Sequence, residues 1–372
     1  MRAVFRRALS SHQIGVFPIM SLIRGSRLAV MLLGPATWYV AGCAPPVQEA
    51  YVPSAQVTAL SPENQESIKK VLTEYCGTVE RPKLLGQPDM NPNHLKQGAA
   101  VYKQYCQQCH GVTGDGNGPQ AAYMIPKPRD YRKGMFKFTS TIYGSKPLRE
   151  DILRTIRRGI MGTSMPSFDL LAPQDLEAVT DYVLALTHRG ELEALLGEAA
   201  EFDGKIDAAA VPGMVQGILD QWKEARVNVV NPRAPMPALT DAHVKAGKDL
   251  FLSIGCNKCH GDEGRGEVTD ALPNDSWGNP NKAADITAGM LRGGTDPLDV
   301  YRRIEAGING TSMPAFRSQF ENEPEKIWDL VAYVMSIYDS RRNGIIPPSI
   351  ILKPLPGVAT GQSEPAASGS GE

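Results

Sequence analysis

Two short motifs carry the residues of this chain that are best suited to chemistry. The pattern Cys-x-x-Cys-His occurs as CQQCH at 106–110 and as CNKCH at 256–260. At this spacing two thiols can bond the vinyl groups of one porphyrin, and the adjoining His can ligate its iron. We therefore predict two covalently bound c-type haems. The attaching cysteines are Cys106, Cys109, Cys256 and Cys259, and the ligand histidines are His110 and His260.

Cysteine pairs with this spacing also form disulfides, zinc sites and redox dithiols. Zinc takes four ligands, whereas each motif supplies three, with no second Cys-x-x-Cys and no His-x-His nearby. A thioredoxin-type pair needs neither the adjoining His nor a tandem copy, and the flanking sequence does not have a βαβ pattern. Haem attachment explains both copies better than these alternatives.

The composition is that of a globular protein, and the N-terminal segment is typical of an exported one. Apolar residues make up 42% of the 372 residues and the formal net charge is −1, so a nucleic-acid partner is not expected. Basic residues precede an apolar run at 28–41, which is interrupted by Pro35 and short for a membrane span. The run ends in Val-Ala-Gly-Cys43, which resembles the lipobox of bacterial lipoproteins and implies a lipid on Cys43. An uncleaved anchor is the alternative, and a start at Met20 would give a signal of ordinary length.

An internal repeat dominates the rest of the sequence. When the two motifs are aligned, four further segment pairs match: 94–98 with 243–247, 130–135 with 285–290, 156–168 with 304–316, and 176–186 with 327–337. The last pair has apolar residues at helical spacing. Gly98 and Gly247 occupy the same place in the first helix of each unit, where the missing Cβ would let another helix cross closely. We therefore predict two mainly helical units.

Each repeat resembles a class I cytochrome c domain, and the pair resembles the two-haem cytochromes c of bacterial respiratory chains. The resemblance covers roughly 91–190 and 241–341 and rests on the motifs, a downstream Met-Pro and the crossing terminal helices. It implies a mainly α fold with two tandem class I cytochrome c domains, each wrapped around one covalent c-type haem. It also implies six-coordinate irons, ligated by His110 with Met165 and by His260 with Met313.

The choice of methionine can also be examined within the repeat. Met161 faces an asparagine in the second unit, so it cannot be a shared ligand. Met135 and Met290 do recur and remain alternatives, although core packing is the usual role of Met. Met165 and Met313 lie 59 and 57 residues after the first cysteine of their motifs, in polar loops where packing would not explain them.

Other histidines and the surroundings of the two haems give further expectations. His94 and His243 could support His/His ligation, but a first-turn or capping role suits them better. We expect His188 to end a helix, where a cation is favourable.

The expected surroundings of the two ligand histidines differ. Pro119 matches the family proline whose carbonyl accepts the N–H of the ligand His, whereas Thr269 stands at that spacing in the second unit. This difference suggests unequal haem potentials. The extra segment 137–143 is expected to form a β-like flap over one haem edge.

These observations predict six segments. A capped helix is expected from Ser61 to Gly77, and a further two short helices within 191–226. Cys76 is the one cysteine without a predicted role, and a buried thiol is its simplest interpretation. The segments are a lipoprotein signal peptide (1–42), a tether with an N-terminal helix (43–90), domain 1 (91–190), a linker with short helices (191–240), domain 2 (241–341) and a disordered tail (342–372).

Charge is divided unevenly between the domains. Domain 1 has 13 Lys and Arg against 8 Asp and Glu, and domain 2 has 11 against 16. Either each domain docks a partner of opposite charge, or the two charged faces simply meet each other or are solvated.

With both irons ligated by protein, the resemblance implies outer-sphere electron transfer rather than catalysis. We predict a lipid-anchored cytochrome on the periplasmic side of the bacterial cytoplasmic membrane. It would carry electrons from a quinol-oxidising complex or dehydrogenase to a terminal oxidase or soluble cytochrome, either as a free carrier or as a subunit of such a complex. The alternative is a two-haem redox enzyme, such as a thiosulfate dehydrogenase or a peroxidase-like protein, in which one iron would have an open or labile ligand such as Cys76.

Overall fold

A computed structural model describes residues 50–267 and 271–342. This part of the chain is mainly helical and has no β-strand, which confirms the predicted class. The α-helices are α1 (Ala55–Thr58), α2 (Pro62–Cys76), α3 (Pro92–Tyr105), α4 (Gln107–His110), α5 (Arg149–Arg158), α6 (Pro173–Asp203), α7 (Val211–Glu224), α8 (Asp241–Ser253), α9 (Asn257–His260), α10 (Pro297–Ala306) and α11 (Lys326–Arg342). Short 3₁₀ turns lie at Ala121–Tyr123, Ile286–Ala288 and Arg317–Phe320.

The helices of the two domains correspond in order and in packing. In domain 1, α3 and α5 pack against α6, and in domain 2, α8 and α10 pack against α11. Each set encloses its own apolar core, with Tyr102 and Tyr182 in the first and Phe251 and Tyr333 in the second. The repeat in the sequence is therefore a repeat of one helical frame.

The helix crossings depend on the two glycines that the sequence aligned. A Cβ added to Gly98 would lie 2.1 Å from the carbonyl oxygen of Ala178 in α6, and one added to Gly247 would lie 1.9 Å from that of Asp329 in α11. Non-bonded atoms cannot approach this closely, so only glycine permits either crossing. The predicted close crossing is confirmed in both domains.

A further apolar layer covers one side of domain 1. Helix α2 begins after Ser61, whose hydroxyl accepts a hydrogen bond from the backbone of Asn64, and it ends at Gly77 with φ +73°, as predicted. With α1, α7 and the second half of α6, it encloses a separate apolar cluster that contains Leu192, Leu196 and Cys76. The expectation of a buried Cys76 is confirmed.

Helix α6 does not end near residue 190, as the sequence had suggested. It spans 31 residues, from Pro173 to Asp203, so the first of the two short helices expected in the linker is part of it. Gly190 lies within α6, and it lets Arg132 pack closely, since a Cβ at Gly190 would lie 2.3 Å from Cβ of Arg132. His188 consequently lies inside a buried helix and not at a helix terminus, and the prediction of a favourable terminal cation is wrong.

The segment 137–143 is a loop and not the β-like flap that we expected. Its single β-type contact is an isolated bridge between Thr141 and Val229 of the linker. Its first residues, Lys137 and Phe138, do line a large cavity in domain 1, while Arg303 of domain 2 donates to the carbonyl of Thr139. The segment is held between the two domains because both supply its hydrogen-bond partners.

Several predictions fall outside the described residues. They concern the signal peptide at 1–42, the lipidated Cys43, Thr269 and the tail from residue 343 onward. Within 50–267 and 271–342, no helix combines the length and apolar character needed to cross a membrane.

Candidate functional site

Each motif forms one helical turn directly after a longer helix. Cys106 follows α3, and the backbone N–H of His110 donates to the carbonyl of Cys106 at 2.9 Å. In domain 2 the N–H of His260 donates to the carbonyl of Cys256 at the same distance. A single turn therefore presents the first cysteine and the histidine at i and i+4, on one side of the backbone.

A backbone carbonyl fixes the ring of each motif histidine. Nδ1 of His110 lies 3.2 Å from the carbonyl oxygen of Arg129, and Nδ1 of His260 lies 3.0 Å from that of Ala284. A carbonyl can only accept, so Nδ1 carries the proton and Nε2 keeps the lone pair that a metal requires. Burial lowers the pKa of both rings, which favours the neutral form.

These carbonyls differ from the partner that the sequence predicted. The family proline at position 119 is not the acceptor for His110; Arg129 is. Arg129 and Ala284 each precede the aligned aspartates Asp130 and Asp285, so both domains use the same position. The unequal potentials that we inferred from Thr269 thus lose their basis, because the position nine residues after the histidine is not used in domain 1.

A large cavity opens beside the first motif. Its mouth is open to solvent, and its walls are mostly apolar. Cys106, Cys109, His110 and Met165 all line it. The remaining walls include Tyr102, Tyr131, Phe136, Ile152, Ile156, Phe168 and Val183. A cavity lined by two thiols, an imidazole and a thioether suits a flat apolar cofactor with a central metal.

The two Met-Pro loops are built alike. The backbone N–H of Met165 donates to the hydroxyl of Thr163 at 3.1 Å, and its carbonyl accepts from the N–H of Ile160 at 3.1 Å. Met313 makes the same two contacts, at the same distances, with Thr311 and Ile308. In domain 2, Met313 and Cys256 are half-buried against the core that contains Phe251. Both predicted methionine ligands are thus held in one defined loop conformation.

The alternative methionines lie elsewhere. Met135 and Met290 are absent from the lining of the domain 1 cavity. Each instead reaches the other domain: Sδ of Met135 would lie 2.8 Å from a Cβ added to Gly310, and Sδ of Met290 would lie 3.2 Å from one added to Gly162. Both glycines belong to Gly-Thr-Ser-Met loops. The recurrence of Met135 and Met290 is therefore explained by reciprocal packing across the domain interface.

Neither repeated histidine outside the motifs lines the domain 1 cavity. Nε2 of His94 lies 2.8 Å from a carboxylate oxygen of Asp181 in α6. Nδ1 of His243 lies 2.8 Å from the hydroxyl of Thr240 in a capping box at the start of α8. The described residues also contain no group of three or more His, Cys, Asp or Glu that could hold a metal ion. The first-turn role of both histidines is confirmed.

Cys76 has a raised pKa, like the first cysteine of each motif, but it lies in a different part of the fold. Burial raises the pKa of Cys106 to about 12 and that of Cys256 to about 11. Burial also raises the pKa of Cys76 to about 12, but Cys76 lies in the layer formed by α1, α2 and α7, and it does not line the domain 1 cavity.

Opposite charges of the two domains meet at the interface. Asp275 accepts from Arg129 at 3.3 Å and from Lys137 at 3.2 Å, and Arg158 pairs with Asp299 at 3.3 Å. Burial alone would raise the pKa of Asp275, but hydrogen bonds from the backbone of Asn279 and from Lys137 lower it below its ordinary value. Of the two explanations offered for the charge division, the meeting of the two faces is the one these contacts support.

Sequence reasoning missed a tyrosine pair beside the first motif. Tyr131 lies with its ring 5.4 Å from that of His110, and its hydroxyl donates to Tyr102 at 2.5 Å. Tyr102 in turn donates to the carbonyl of Gly111 at 2.8 Å. The aligned residues of domain 2 are Phe251 and Ile286, so comparison of the repeats for positions that fail to match could have found the pair.

Sequence reasoning also missed Trp277. The aligned aspartate follows the motif histidine by 20 residues in domain 1 and by 25 in domain 2, and Trp277 lies within this longer stretch. Its ring lies under the guanidinium of Arg129, 3.7 Å from the ring centroid. A tryptophan in a segment without a counterpart was the available signal.

Comparison with known proteins agrees with this architecture. The family model for cytochrome c oxidase, cbb3-type, subunit III matches residues 93–183 and 242–334. CcoP, a subunit of cbb3-type cytochrome c oxidase from Helicobacter pylori, is 26% identical over 184 residues, which are 50% of this chain and 42% of that protein. FixP, a subunit of the same type of oxidase from Sinorhizobium medicae, is 27% identical over 113 residues, 28% of this chain and 34% of that protein. The chain thus spans less than half the length of these curated relatives.

A solved structure matches over a larger share of its length. A chain of the reducing HAO-like protein complex of Kuenenia stuttgartiensis is 34% identical, with a TM-score of 0.50, and the match covers 65% of this chain and 96% of that one. The two family matches also coincide with the two motif-bearing helical domains. This chain therefore belongs to the cytochrome c family, whose cofactor is c-type haem, and its two tandem domains each match the cbb3-type subunit III model.

Proposed function

We propose that this chain is a two-haem electron-transfer subunit of a respiratory redox complex, tethered to the membrane through Cys43. The observation that carries the proposal is the domain 1 cavity lined together by Cys106, Cys109, His110 and Met165. The matching loop geometry around Met313 supports a second site of the same kind.

The residues present fit a c-type haem in each domain. Cys106 and Cys109 would attach the first haem, and Cys256 and Cys259 the second. His110 with Met165, and His260 with Met313, would provide the axial ligands. When bound, each haem supplies one reversible Fe(III)/Fe(II) couple, and a methionine ligand raises its reduction potential.

The protein itself would contribute by fixing the tautomers of the ligand histidines and the conformation of the methionine loops. The Arg129 and Ala284 carbonyls keep the imidazoles in the ligating tautomer. The Thr163 and Thr311 hydroxyls hold the backbone of the methionine loops. The walls of the domain 1 cavity are mostly apolar, so with a haem bound they would limit the solvent that has to reorganise when charge changes. Fixed ligands on both sides leave outer-sphere electron transfer as the reaction.

Haem stoichiometry tests this proposal. Mass spectrometry of the intact mature protein should find two haems on the natural chain. It should find one on the Cys106→Ala/Cys109→Ala variant and one on the Cys256→Ala/Cys259→Ala variant, because attachment requires the thiols of each motif. Cys76→Ala is the matched control and should keep both. Retention of two haems by either double variant would contradict the assignment.

The redox partners are also a proposal, which is supported by the complexes to which the similar proteins belong. CcoP and FixP are oxidase subunits, and the Kuenenia chain comes from a redox complex. We therefore infer that the chain passes electrons within such a complex, between a quinol-oxidising complex or dehydrogenase and a terminal oxidase or soluble cytochrome. Purification from native membranes under mild detergent should recover it with a larger haem-containing assembly. Recovery as a single chain would favour the free carrier.

The anchor is tested separately. A mass spectrum of the mature N-terminus should find lipid on Cys43, and Cys43→Ser should release the protein from the periplasmic face of the membrane into the soluble fraction. A mature chain without lipid that remains in the membrane would contradict the lipoprotein proposal.

A further inference from the structure

We infer that Trp277 bridges the two haem sites and carries the electron path between the iron ligands His110 and Met313. The inference rests on the proposed two-haem function and adds a residue to it. Trp277 belongs to the domain 2 segment 275–279, which lies against the loop of domain 1 that holds His110.

The first half of the path leads from His110 to the indole. Nδ1 of His110 donates to the carbonyl oxygen of Arg129 at 3.2 Å, and the next carbonyl, that of Asp130, accepts from Nε1 of Trp277 at 2.6 Å. Only the covalent bonds between two consecutive residues separate these two hydrogen bonds. The Arg129 guanidinium covers one face of the ring, 3.7 Å from its centroid.

The second half leads from the indole into the loop of Met313. Gly310 is packed so closely against the ring that an added Cβ would lie 2.4 Å from Cζ3 of Trp277. The backbone N–H of Ser276 also donates to the carbonyl of Gly310 at 3.0 Å. Met313 follows three residues later in the same loop. One side chain thus touches the backbone that orients the histidine ligand of one site and the loop that carries the methionine ligand of the other.

This placement suits electron transfer because tunnelling is faster through bonds, hydrogen bonds and close contacts than through open space. With a haem held in each domain, the pathway would carry one electron from one iron to the other. The indole itself would be neither oxidised nor reduced, and no proton would move. Asp275 holds Arg129 and Lys137 at the ring, which fixes the contact.

The kinetic test uses the holoprotein and Trp277→Phe, which keeps an aromatic ring and removes the Nε1 donor. A laser flash delivers less than one electron per molecule, and absorbance follows its redistribution between the haems. We expect redistribution to slow several-fold in Trp277→Phe. Trp222→Phe is the matched control, because it also removes an indole hydrogen bond. That bond runs from Nε1 of Trp222 in α7 to the carboxylate of Glu191 in α6. It should transfer at the natural rate.

The reduction potentials of both haems are measured on the same samples. An unchanged rate in Trp277→Phe, or a slowing fully explained by shifted potentials, would overturn the inference. A natural protein that lacks the second haem would refute the proposed function, and the inference would fall with it.

A spectroscopic test is independent of the rate. The indole N–H resonance of Trp277, assigned by its loss in Trp277→Phe, should shift in NMR spectra when either haem is oxidised. The Trp222 resonance should shift less. A Trp277 resonance that responds to only one haem would overturn the bridge.

Discussion

Domains 1 and 2 share one frame and differ in what surrounds it. The glycine crossings, the histidine carbonyls and the Met-Pro loops agree between them. Among the described residues, a hydrogen-bonded tyrosine pair and a covering layer of α1, α2 and α7 belong to domain 1, whereas domain 2 contributes the Trp277 segment. The repeated features position the motif histidine and the Met-Pro loop in each domain. The unrepeated ones distinguish the two sites and join them.

The strongest test of the shared frame is to fill the two crossings. Gly98→Ala and Gly247→Ala should each destabilise the protein by roughly 3 kcal/mol, because the new Cβ would lie 2.1 Å or 1.9 Å from a carbonyl oxygen. Denaturant unfolding of the holoprotein would measure the loss. Gly217→Ala in α7 is the control, since an added Cβ there meets nothing within 4 Å, and it should be neutral or slightly stabilising. Equal losses of unfolding free energy in the two variants would show that the two crossings are equivalent. An alanine tolerated in one domain would show that they are not.

A second test concerns the covering layer that only domain 1 has. His188 is 6% exposed, and neither ring nitrogen has a hydrogen-bond partner among the described residues. Burial, assisted by Lys146, lowers its pKa from 6.5 to about 4. Between these pH values the unfolded chain binds the proton and the folded chain does not, so stability should fall as the pH drops from 6.5 to 4. The full loss from this residue is at most about 3 kcal/mol.

His188→Leu should remove that acid sensitivity. We expect unfolding free energies of the variant and the natural protein to be similar at pH 7.5, where the ring is neutral, and the variant to be more stable at pH 5. The aligned residue of domain 2, Asp339, is exposed. Parallel loss of stability in both proteins between pH 7.5 and pH 5 would show that the ring does not titrate as a buried group.

The smallest expected effect comes from the tyrosine pair. Tyr131→Phe should cost about 1 kcal/mol, the usual net value of one buried hydrogen bond, because Tyr102 keeps its bond to Gly111. Tyr143→Phe, at a side chain that is 49% exposed, is the control and should cost nothing measurable. Denaturant titration would measure the change in unfolding free energy for both variants. An unchanged stability in Tyr131→Phe would mean that the hydroxyl pair adds nothing to domain 1.

The sequence predicted local features well because local chemistry determines them. Ser61 and Gly77 mark the ends of α2 through capping and a positive φ, and the aligned glycines mark the crossings. Features set by distant contacts could not be predicted in this way. His188 was expected to end a helix, but α6 continues past it, and Arg132 packs against Gly190 in the continuing helix. The acceptor for His110 was missed for a similar reason, since it depends on how the loop from 111 to 129 folds back.

Optical and EPR spectroscopy of the purified full chain, with carbon monoxide added to the reduced form, would show whether both irons keep their protein ligands. We expect two low-spin haems with His and Met ligands, neither of which binds the gas. A high-spin signal, a carbon monoxide adduct or a thiolate signature would contradict this expectation, because Met165 or Met313 would then not be a permanent ligand and one iron would be open to a substrate.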